Sequence, residues 1–389
     1  MLAVTPFGTS SVTGGAEKWL LGMITNTPAF SWHVLSLQDG PFCDELRAAG
    51  VGVTVRPTGS SAAAVGKRSV ATARLLERMR PDVVIGNGVK AQLVVALATP
   101  LRAVPTVWVK HDYSYDSLLA GPLGWAADSV IATAAEVGVS AGRTDLTVIH
   151  PPVQNERIYD REAARSILSA QGLAFDDRPI VAMAGRLVSY KGFDDAVAAL
   201  NSPDAEAWRL IIIGDEDHSS VGERERLSRL AEELGVSGRV TFTPPVSGLG
   251  RLFAAFDALA VLTKPTGRRA PAREGFGMTA FEAMQAAIPV IAVEGSPVAD
   301  RLEESAGIIV SPQAPEEVAV ALGRLSDPGL RERMGQCGRA IVADYADVAE
   351  TAVSFTDVLL EVARQGHIRG LCQRALRAFH KIFRFQETD

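Results

Sequence analysis

Short apolar runs rich in valine, isoleucine and leucine alternate with segments of helical periodicity along most of the chain. Because these runs are apolar almost throughout, they are typical of strands that are buried on both faces of a parallel sheet. We predict strands at residues 2–7, 32–36, 51–55, 82–85, 106–109, 129–132, 147–149, 180–184, 209–213, 240–242, 258–261, 289–292 and 307–310. Helical patterns lie between many of them, for example at 71–79, 223–234 and 315–325.

Two series of alternating strands and helices follow one another, which predicts an α/β chain with two doubly wound, Rossmann-like domains. The best boundary is the pair Pro151 and Pro152, since adjacent prolines end a strand and stiffen a connection. We therefore expect an N-terminal domain at residues 1–152 and a C-terminal domain at 153–350. Ligands of open α/β sheets bind beyond the carboxyl ends of the strands, so two facing domains would form a cleft.

Composition narrows the class of protein. The 389 residues are 47% hydrophobic and 22% charged, which is typical of a globular chain of two domains. No apolar run approaches the roughly 20 residues of a membrane-spanning helix, and the N-terminus lacks a signal-peptide pattern. Three cysteines without metal-ligand spacing favour a cytoplasmic protein with neither a disulfide framework nor a zinc site. The formal net charge of −6 argues against general binding of nucleic acid.

Two loops of the first domain carry candidate site residues. Gly14 and Gly15 precede a helix after the first strand, where backbone N–H groups are able to approach a phosphate or a sugar. An ordinary tight connection between strand and helix is the alternative interpretation. His111 follows the strand at 106–109 and faces the expected cleft, where it would serve either a polar site or a purely structural role.

One loop of the second domain carries two cations. Arg186 and Lys191 bracket a glycine-flanked connection directly after the strand at 180–184. Cations at the carboxyl end of a strand are well placed to hold a pyrophosphate, arginine through its planar fork and lysine as a point charge. The alternative is a solvated loop with ordinary surface cations.

The sequence REGFGMTAFEAM at 273–284 combines two glutamates with a Gly-Phe-Gly turn. Thr279 and Glu282 fit a capping box at the start of a helix, which would explain Glu282 on structural grounds alone. Glu274 precedes the turn and belongs to no predicted helix, while Gly277 lies just before a helix N-terminus, where anions bind. A carboxylate beside such a terminus suggests a ligand that is both anionic and rich in hydroxyl groups, such as a nucleotide sugar.

The order and approximate spacing of these motifs resemble the retaining GT-B glycosyltransferases. The matching pieces are GGAE at 14–17, GR and KG within 185–192, and two glutamates separated by seven residues at 274–282. The Glu-x7-Glu motif is the most specific of them, and the resemblance covers the second domain better than the first. It implies the GT-B fold, two Rossmann-like domains that face a cleft, with C-terminal helices at 351–389 that cross back to the first domain.

The resemblance implies retaining transfer of a sugar from a nucleoside-diphosphate sugar to a hydroxyl group of a glycan, a glycolipid or a small molecule, in the synthesis of an envelope glycan, polysaccharide or glycolipid. The implied catalytic residues are His111, Arg186, Lys191 and Glu274. The implied donor-binding residues are Gly14, Gly15, Gly185, Gly214, Phe276, Gly277, Met278, Thr279 and Glu282. No metal or other cofactor is expected, because cations and helix dipoles would neutralise the diphosphate. The donor could be a UDP-, GDP- or ADP-sugar.

Two features depart from the family pattern, and two other functions stay open. The loop at 214–217 reads GDED and is unusually acidic, which leaves the pocket for the base and the sugar unassigned. The basic residues at 267–273 would form either a mobile loop over the donor or a solvated insertion. The alternative functions are a GT-B epimerase of sugar nucleotides and a non-catalytic protein that binds a nucleotide sugar.

The end of the chain has a charge pattern of its own. Residues 363–385 contain six arginines and lysines and no acidic residue, with apolar residues at helical spacing. One interpretation is a helix that packs on the first domain. The other is a segment at 364–385 that binds an anionic membrane surface, which would place a cytoplasmic protein at the inner face of the membrane.

Overall fold

The computed structural model describes most of the chain. The described residues are 1–6, 14–59, 61–99, 104–152, 157–216, 220–264, 274–302, 305–345 and 347–384, with side chains as far as residue 366. The chain divides into two compact units, of which the first comprises Met1–Pro152 and Val348–Asp389 and the second comprises Val153–Asp347. The second division falls slightly before the predicted one at residue 350.

Each unit contains one parallel sheet. The strands of the first sheet are β1 (Leu2–Thr5), β2 (His33–Ser36), β3 (Gly52–Val55), β4 (Val84–Asn87), β5 (Thr106–Lys110), β6 (Ser129–Ala132) and β7 (Thr147–Val148), in the order β3-β2-β1-β4-β5-β6-β7. Those of the second are β8 (Ile180–Ala184), β9 (Arg209–Ile213), β10 (Val240–Thr243), β11 (Ala258–Val261), β12 (Val290–Val293) and β13 (Gly307–Val310), in the order β10-β9-β8-β11-β12-β13. All described pairings are parallel, which confirms the predicted sheet type.

Helices connect the strands. They are α1 (Gly15–Thr25), α2 (Pro41–Ala48), α3 (Ala62–Met79), α4 (Val89–Ala98), α5 (Gly121–Ala126), α6 (Ala135–Gly138), α7 (Arg161–Ala170), α8 (Phe193–Ala199), α9 (Glu223–Glu233), α10 (Met278–Gln285), α11 (Pro315–Arg324), α12 (Pro328–Ala343) and α13 (Val348–Arg384). Shorter helical turns include 3-10 turns at Ser189–Lys191 and Leu249–Ala255 and a π-turn at Asp116–Ala120. Within the described ranges, no helix is both long and apolar enough to cross a membrane.

The C-terminal helix belongs to the core of the first unit. Phe355 and Leu359 of α13 are fully buried there, and the ring of Phe355 meets that of Trp19 edge-on at 5.3 Å. Burying an aromatic or aliphatic side chain of this size contributes about 1.5–3 kcal/mol, so this part of α13 contributes to the stability of the unit. The predicted membrane-binding segment at 364–385 falls almost wholly on side chains outside the described set, and it stays a prediction.

Alternation along β8 builds two cores in the second unit. Val181 and Met183 face the cluster that includes side chains of α8, α9 and α11. Ile180 and Ala182 face the opposite cluster, with side chains of α7 and α10. Because successive side chains of a strand point to opposite faces, a strand buried on both faces is apolar at most of its positions. The apolar runs in the sequence have this cause.

The first strand ends earlier than predicted. We predicted it at 2–7, whereas β1 ends at Thr5 and Pro6 follows. Proline lacks the N–H group that a central strand must donate to its neighbour, so the strand cannot continue through it. The connection from β1 to α1 therefore begins at Pro6, two residues earlier than the predicted end of the strand implies.

Candidate functional site

The strand order reverses once in each sheet. In the first sheet the reversal lies between β1 and β4, and in the second it lies between β8 and β11. Neighbouring loops leave in opposite directions at such a point and open a crevice beyond the carboxyl ends of the strands, where ligands of α/β folds bind. The predicted site residues lie on loops at or beside these two points.

The turn after β8 is held tightly against the end of β11. The backbone N–H of Lys264 donates to the carbonyl of Tyr190 at 2.6 Å. Gly192 has φ +75°, and a Cβ atom there would lie 2.2 Å from the carbonyl oxygen of Leu262. Only glycine tolerates both the left-handed conformation and this approach of two backbones. The position of Lys191, the preceding residue, is therefore fixed by backbone packing.

Lys191 and Glu274 meet at this reversal point. The ammonium Nζ of Lys191 lies 2.6 Å from Oε2 of Glu274, and the two side chains are 22% and 13% exposed. The hydroxyl of Thr263, just beyond β11, donates to the same Oε2 at 2.9 Å. Two residues predicted separately as catalytic are thus in direct contact. A carboxylate, an ammonium and a hydroxyl at one point form a site that suits a ligand with both phosphate and hydroxyl groups.

Arg186 lies on the same turn but is exposed. Its Nη2 donates to the hydroxyl of Tyr190 at 3.2 Å. Tyr190 also lines a cavity of about 340 Å³, together with Val188, Val221, Gly222, Glu223 and Arg226 among others. The turn therefore borders a cavity whose volume lies at the small end of the range found for ligand pockets.

Gly185 and Gly214 bring the loops after β8 and β9 together. Gly185 has φ +143° and Gly214 has φ +156°. A Cβ atom on Gly214 would lie 1.8 Å from the carbonyl oxygen of Gly185, so a side chain at that position would force the loops apart. Both glycines thus have a structural reason to be there, and their predicted role in donor binding stays a prediction.

The predicted capping box at Thr279 and Glu282 is wrong. Helix α10 begins at Met278, its N-cap is Gly277 with φ +90°, and no side chain caps it. Thr279 lies inside the first turn, where its hydroxyl is past the N-cap position that a capping box requires. Buried Phe276 stacks on Phe281 at 4.7 Å, and this packing sets the path by which the chain enters the helix.

Glu282 lies inside α10 and is not part of a capping box there. Its side chain is half-buried, and its carboxyl carbon approaches Gly250, where a Cβ atom would lie 2.9 Å away. The backbone N–H groups at the start of α10 have no side-chain cap, so the terminus keeps the donors that anions use. Met278 and Thr279 are half-buried at this terminus.

In the first unit, Gly14 and Gly15 form the start of α1. Gly14 is the N-cap, and its N–H donates to Oε2 of Glu17. Glu17 is only 5% exposed, and this burial raises its pKa to about 7, with the Gly14 N–H opposing the shift. The segment at 7–13, which carries the rest of this predicted loop, lies outside the described residues, as do Asp217, Arg273 and the basic stretch at 267–273.

His111 follows β5 and is half-buried against Trp19, whose ring meets it edge-on at 5.4 Å. Its Nε2 lies 2.6 Å from Oδ1 of Asn87, at the end of β4. The Asn87 amide Nδ2 donates to the Thr5 hydroxyl and to the Ala16 carbonyl, each at 3.4 Å, which leaves Oδ1 as an acceptor for the imidazole. Burial lowers the pKa of His111 to about 4, so the ring is neutral at pH 7. Since Asn87 Oδ1 is an acceptor, this contact favours the tautomer that has its proton on Nε2.

The structure brings Gly185, Lys191, Glu274 and Gly277 together in the second unit, while His111 and Gly14 belong to the first. Sequence reasoning missed Thr263 and Asn87, which bond directly to the predicted catalytic side chains Glu274 and His111. Each lies at or just beyond the carboxyl end of a strand next to a reversal point, and that position is the one signal that could have indicated them. In the described part of the chain, His, Cys, Asp and Glu side chains form no group of three that could hold a metal.

Comparison with known proteins identifies the second unit. Residues 165–341 match the family of glycosyl transferases group 1. The matched residues make up most of the second unit, which is therefore similar to a group 1 glycosyl transferase domain. A D-inositol 3-phosphate glycosyltransferase of Mycobacterium tuberculosis is 37% identical over 237 residues, which are 59% of this chain and 45% of that protein. One of Streptomyces bingchenggensis is 35% identical over 228 residues, which are 56% and 48% of the two chains. The chain thus spans about half the length of these relatives.

Solved structures extend the likeness to both units of the chain. Anabaena Alr3699/HepE in complex with UDP-glucose is 22% identical with a TM-score of 0.78, covering 92% of this chain and 99% of that one. WaaG, a glycosyltransferase involved in lipopolysaccharide biosynthesis, is 17% identical with a TM-score of 0.66 over 92% and 99% of the two chains. At these identities the likeness concerns the fold, and it confirms the prediction of a GT-B chain with two Rossmann-like units.

Proposed function

We propose that this protein transfers a sugar from a nucleoside-diphosphate sugar to a hydroxyl acceptor, with retention of the anomeric configuration and without a metal ion. The observation that carries the proposal is the contact of Lys191 with Glu274, 2.6 Å apart at the reversal point of the second sheet. A cation for a phosphate and a carboxylate for sugar hydroxyls meet there, beside the uncapped start of α10.

The residues have distinct roles in this proposal. Lys191 and Arg186 neutralise the diphosphate, and Gly277 to Thr279 offer it backbone N–H groups. Glu274 accepts hydrogen bonds from hydroxyls of the donor sugar, and Glu282 accepts them from the ribose.

The first unit contributes the remaining roles. Gly14 and Gly15 let the backbone approach the diphosphate. His111 lies near the donor sugar and the reaction centre, and its neutral imidazole carries an N–H group that is already directed at Asn87. Its Nδ1 is then an acceptor for a hydroxyl group.

The reaction breaks the bond between the anomeric carbon and the diphosphate oxygen. Positive charge develops on the sugar ring as the diphosphate leaves, and the acceptor hydroxyl attacks from the face that the diphosphate vacates. The acceptor's proton passes to the departing phosphate oxygen on that same face. The main contribution of the protein is to stabilise the negative charge that grows on the diphosphate, with cations already in place.

The comparisons support a nucleotide-sugar donor and suggest acceptors to try. Relatives carry the name D-inositol 3-phosphate glycosyltransferase, and a structural neighbour holds UDP-glucose. We therefore propose a UDP-sugar as the first donor to test and a polyhydroxyl acceptor, either a cyclitol phosphate or a glycan or glycolipid of the cell envelope.

The test begins with a panel of UDP-, GDP- and ADP-sugars, screened by thermal shift, because a ligand that binds the native state stabilises it by mass action. Donors that bind are then incubated with cyclitol phosphates and glycan acceptors in excess chelator, and the anomeric configuration of the product is read by NMR. We expect a product with the donor's configuration and undiminished rates with chelator.

Lys191→Ala provides the residue-level test. Removing one preorganised group that stabilises the developing charge lowers the rate about 10²–10³-fold. We therefore expect this variant to lose turnover by that factor. Its melting temperature should stay close to that of the wild type. Lys67→Ala, at an exposed lysine on α3, is the matched control and should keep full turnover. Near-normal turnover of Lys191→Ala would contradict the assignment. An epimerised donor without transfer, or binding without any turnover, would favour the two alternative functions.

A further inference from the structure

In the part of the chain that the structure describes, the Glu274 carboxylate is held through one of its two oxygens. Oε2 accepts hydrogen bonds from both the Lys191 ammonium and the Thr263 hydroxyl, at 2.6 and 2.9 Å. Among the described residues, none donates to Oε1. Both described contacts therefore fix one oxygen of the carboxylate and leave the lone pairs of the other for a ligand.

The two anchors of Glu274 differ in kind. Lys191 reaches Oε2 along a flexible four-carbon chain and is 22% exposed, so a phosphate is able to compete for its ammonium. Thr263 is fully buried, and its β-branched side chain has few rotamers available. A neutral hydroxyl at this position holds Oε2 whatever the charge state of the neighbouring ligand.

We propose that Thr263 is a positioning residue that holds Glu274 with Oε1 directed at a hydroxyl group of the donor sugar. This inference rests on the proposed function, in which Lys191 is drawn towards the diphosphate as negative charge grows on the leaving group. At that moment the Lys191 anchor weakens and the Thr263 anchor remains. Thr263 therefore acts on recognition of the sugar, through Glu274, and not on recognition of the nucleotide.

Under this proposal, the Thr263 hydroxyl affects the affinity for a sugar nucleotide and not the affinity for the nucleotide alone. A ligand without the transferable sugar, such as UDP, needs Lys191 and the backbone donors but makes no use of Oε1. A sugar nucleotide adds the hydrogen bond from its sugar hydroxyl to Oε1, and that bond requires a fixed carboxylate. The site thus selects donors whose sugar carries a hydroxyl group within reach of Oε1.

The experiment compares Thr263→Val with Thr263→Ser in the full chain. Valine has nearly the shape of threonine without the hydroxyl, and serine keeps the hydroxyl. Affinities for UDP and for UDP-glucose are measured by calorimetry, and kcat and KM are measured with UDP-glucose. If the donor panel selects GDP or ADP, that nucleotide and its sugar form replace the uridine pair.

We expect Thr263→Val to bind UDP within about twofold of wild type. Its affinity for the sugar nucleotide and its kcat/KM should fall about 10- to 100-fold, the effect of losing one hydrogen bond to a charged group. Thr263→Ser should recover most of that loss. Thr263→Val in a Glu274→Gln background should cause little further loss, because both changes remove the same contact with the sugar.

Three outcomes would overturn the inference. Unchanged kinetics of a folded Thr263→Val would show that the hydroxyl does not position Glu274. An equal loss for UDP and UDP-glucose would assign Thr263 to the general integrity of the site. Additive losses in the double variant would separate Thr263 from Glu274. Failure of the wild type to bind any sugar nucleotide is a distinct result, which refutes the proposed function itself and the inference with it.

Discussion

Replacing Gly192 with alanine tests whether backbone packing fixes the turn that carries Lys191. Gly192 adopts φ +75° and ψ 22°, and the added Cβ atom would lie 2.2 Å from the Leu262 carbonyl oxygen and 2.7 Å from the Leu262 Cβ. Neither neighbour is the far end of a flexible side chain, so the turn and the end of β11 must move apart. That movement would pull Lys191 away from Glu274.

Gly248 offers a matched control because its backbone is nearly the same. It has φ +67° and ψ 24°, and a Cβ atom there would meet no atom within 4 Å. Gly248→Ala therefore carries only the strain of a left-handed alanine, about 1–2 kcal/mol. Gly192→Ala adds the overlap, and overpacking of this kind costs about 1–3 kcal/mol more. The difference between the two variants isolates the contact with Leu262.

Thermal melting and turnover measure the two consequences. For a unit of this size, 1 kcal/mol corresponds to about 2–4 °C, so Gly192→Ala should melt several degrees below Gly248→Ala. Its turnover should fall about 10²-fold, because a displacement of about 1 Å in a catalytic group has that effect. Equal melting temperatures for the two variants would refute the reasoning from the overlap. Normal turnover of Gly192→Ala would refute the link between this turn and the site.

Two further predictions concern the first unit. Because burial raises the pKa of Glu17 from 4.5 to about 7, its protonated form stabilises the fold at low pH and that contribution is lost as pH rises through about 7. Glu17→Gln should remove this decline in the free energy of unfolding, which amounts to about 3 kcal/mol at most. Chemical denaturation at about pH 5 and pH 8 measures it. An equal fall in the free energy of unfolding between these pH values in both proteins would contradict the prediction. Asn87→Asp places a carboxylate beside His111 and should raise its pKa from about 4. An NMR titration reads the shift, and an unchanged pKa would disprove the contact.

Regular periodicity made the fold predictable. The central strands are apolar at most positions because helices cover both faces, and the sequence at 180–184 and 210–213 shows this directly. The end of β1 was misjudged because apolar character continues through Pro6 and Phe7, while the hydrogen-bonding limit of proline decides where the ladder stops. The presence of a strand was predictable because many residues contribute to its pattern. The end of β1 was not, because it depends on the single residue Pro6.

The site was less predictable, since its contacts depend on which strands are neighbours. Lys191 and Glu274 are far apart in the chain and meet because β11 lies beside β8, a fact of sheet order. Thr263 and Asn87 show no spacing pattern at all, and each gains its meaning from the candidate side chain that the fold brings beside it. The capping box failed for the opposite reason, because a local signal at Thr279 was overridden by the packing of the preceding residues.

The resting contact between Lys191 and Glu274 has a consequence for catalysis under the proposed function. A lysine that already has a carboxylate partner gains less from the diphosphate of a bound donor than an unpaired lysine would, so ground-state binding is weakened. As the bond to the sugar breaks, the diphosphate acquires a further negative charge and competes more strongly for the same ammonium. The interaction is therefore stronger in the transition state than in the bound donor, which is the condition for raising kcat and not only lowering KM. Glu274 in this view restrains Lys191 until charge develops, and Thr263 keeps Glu274 in place when Lys191 turns to the leaving group.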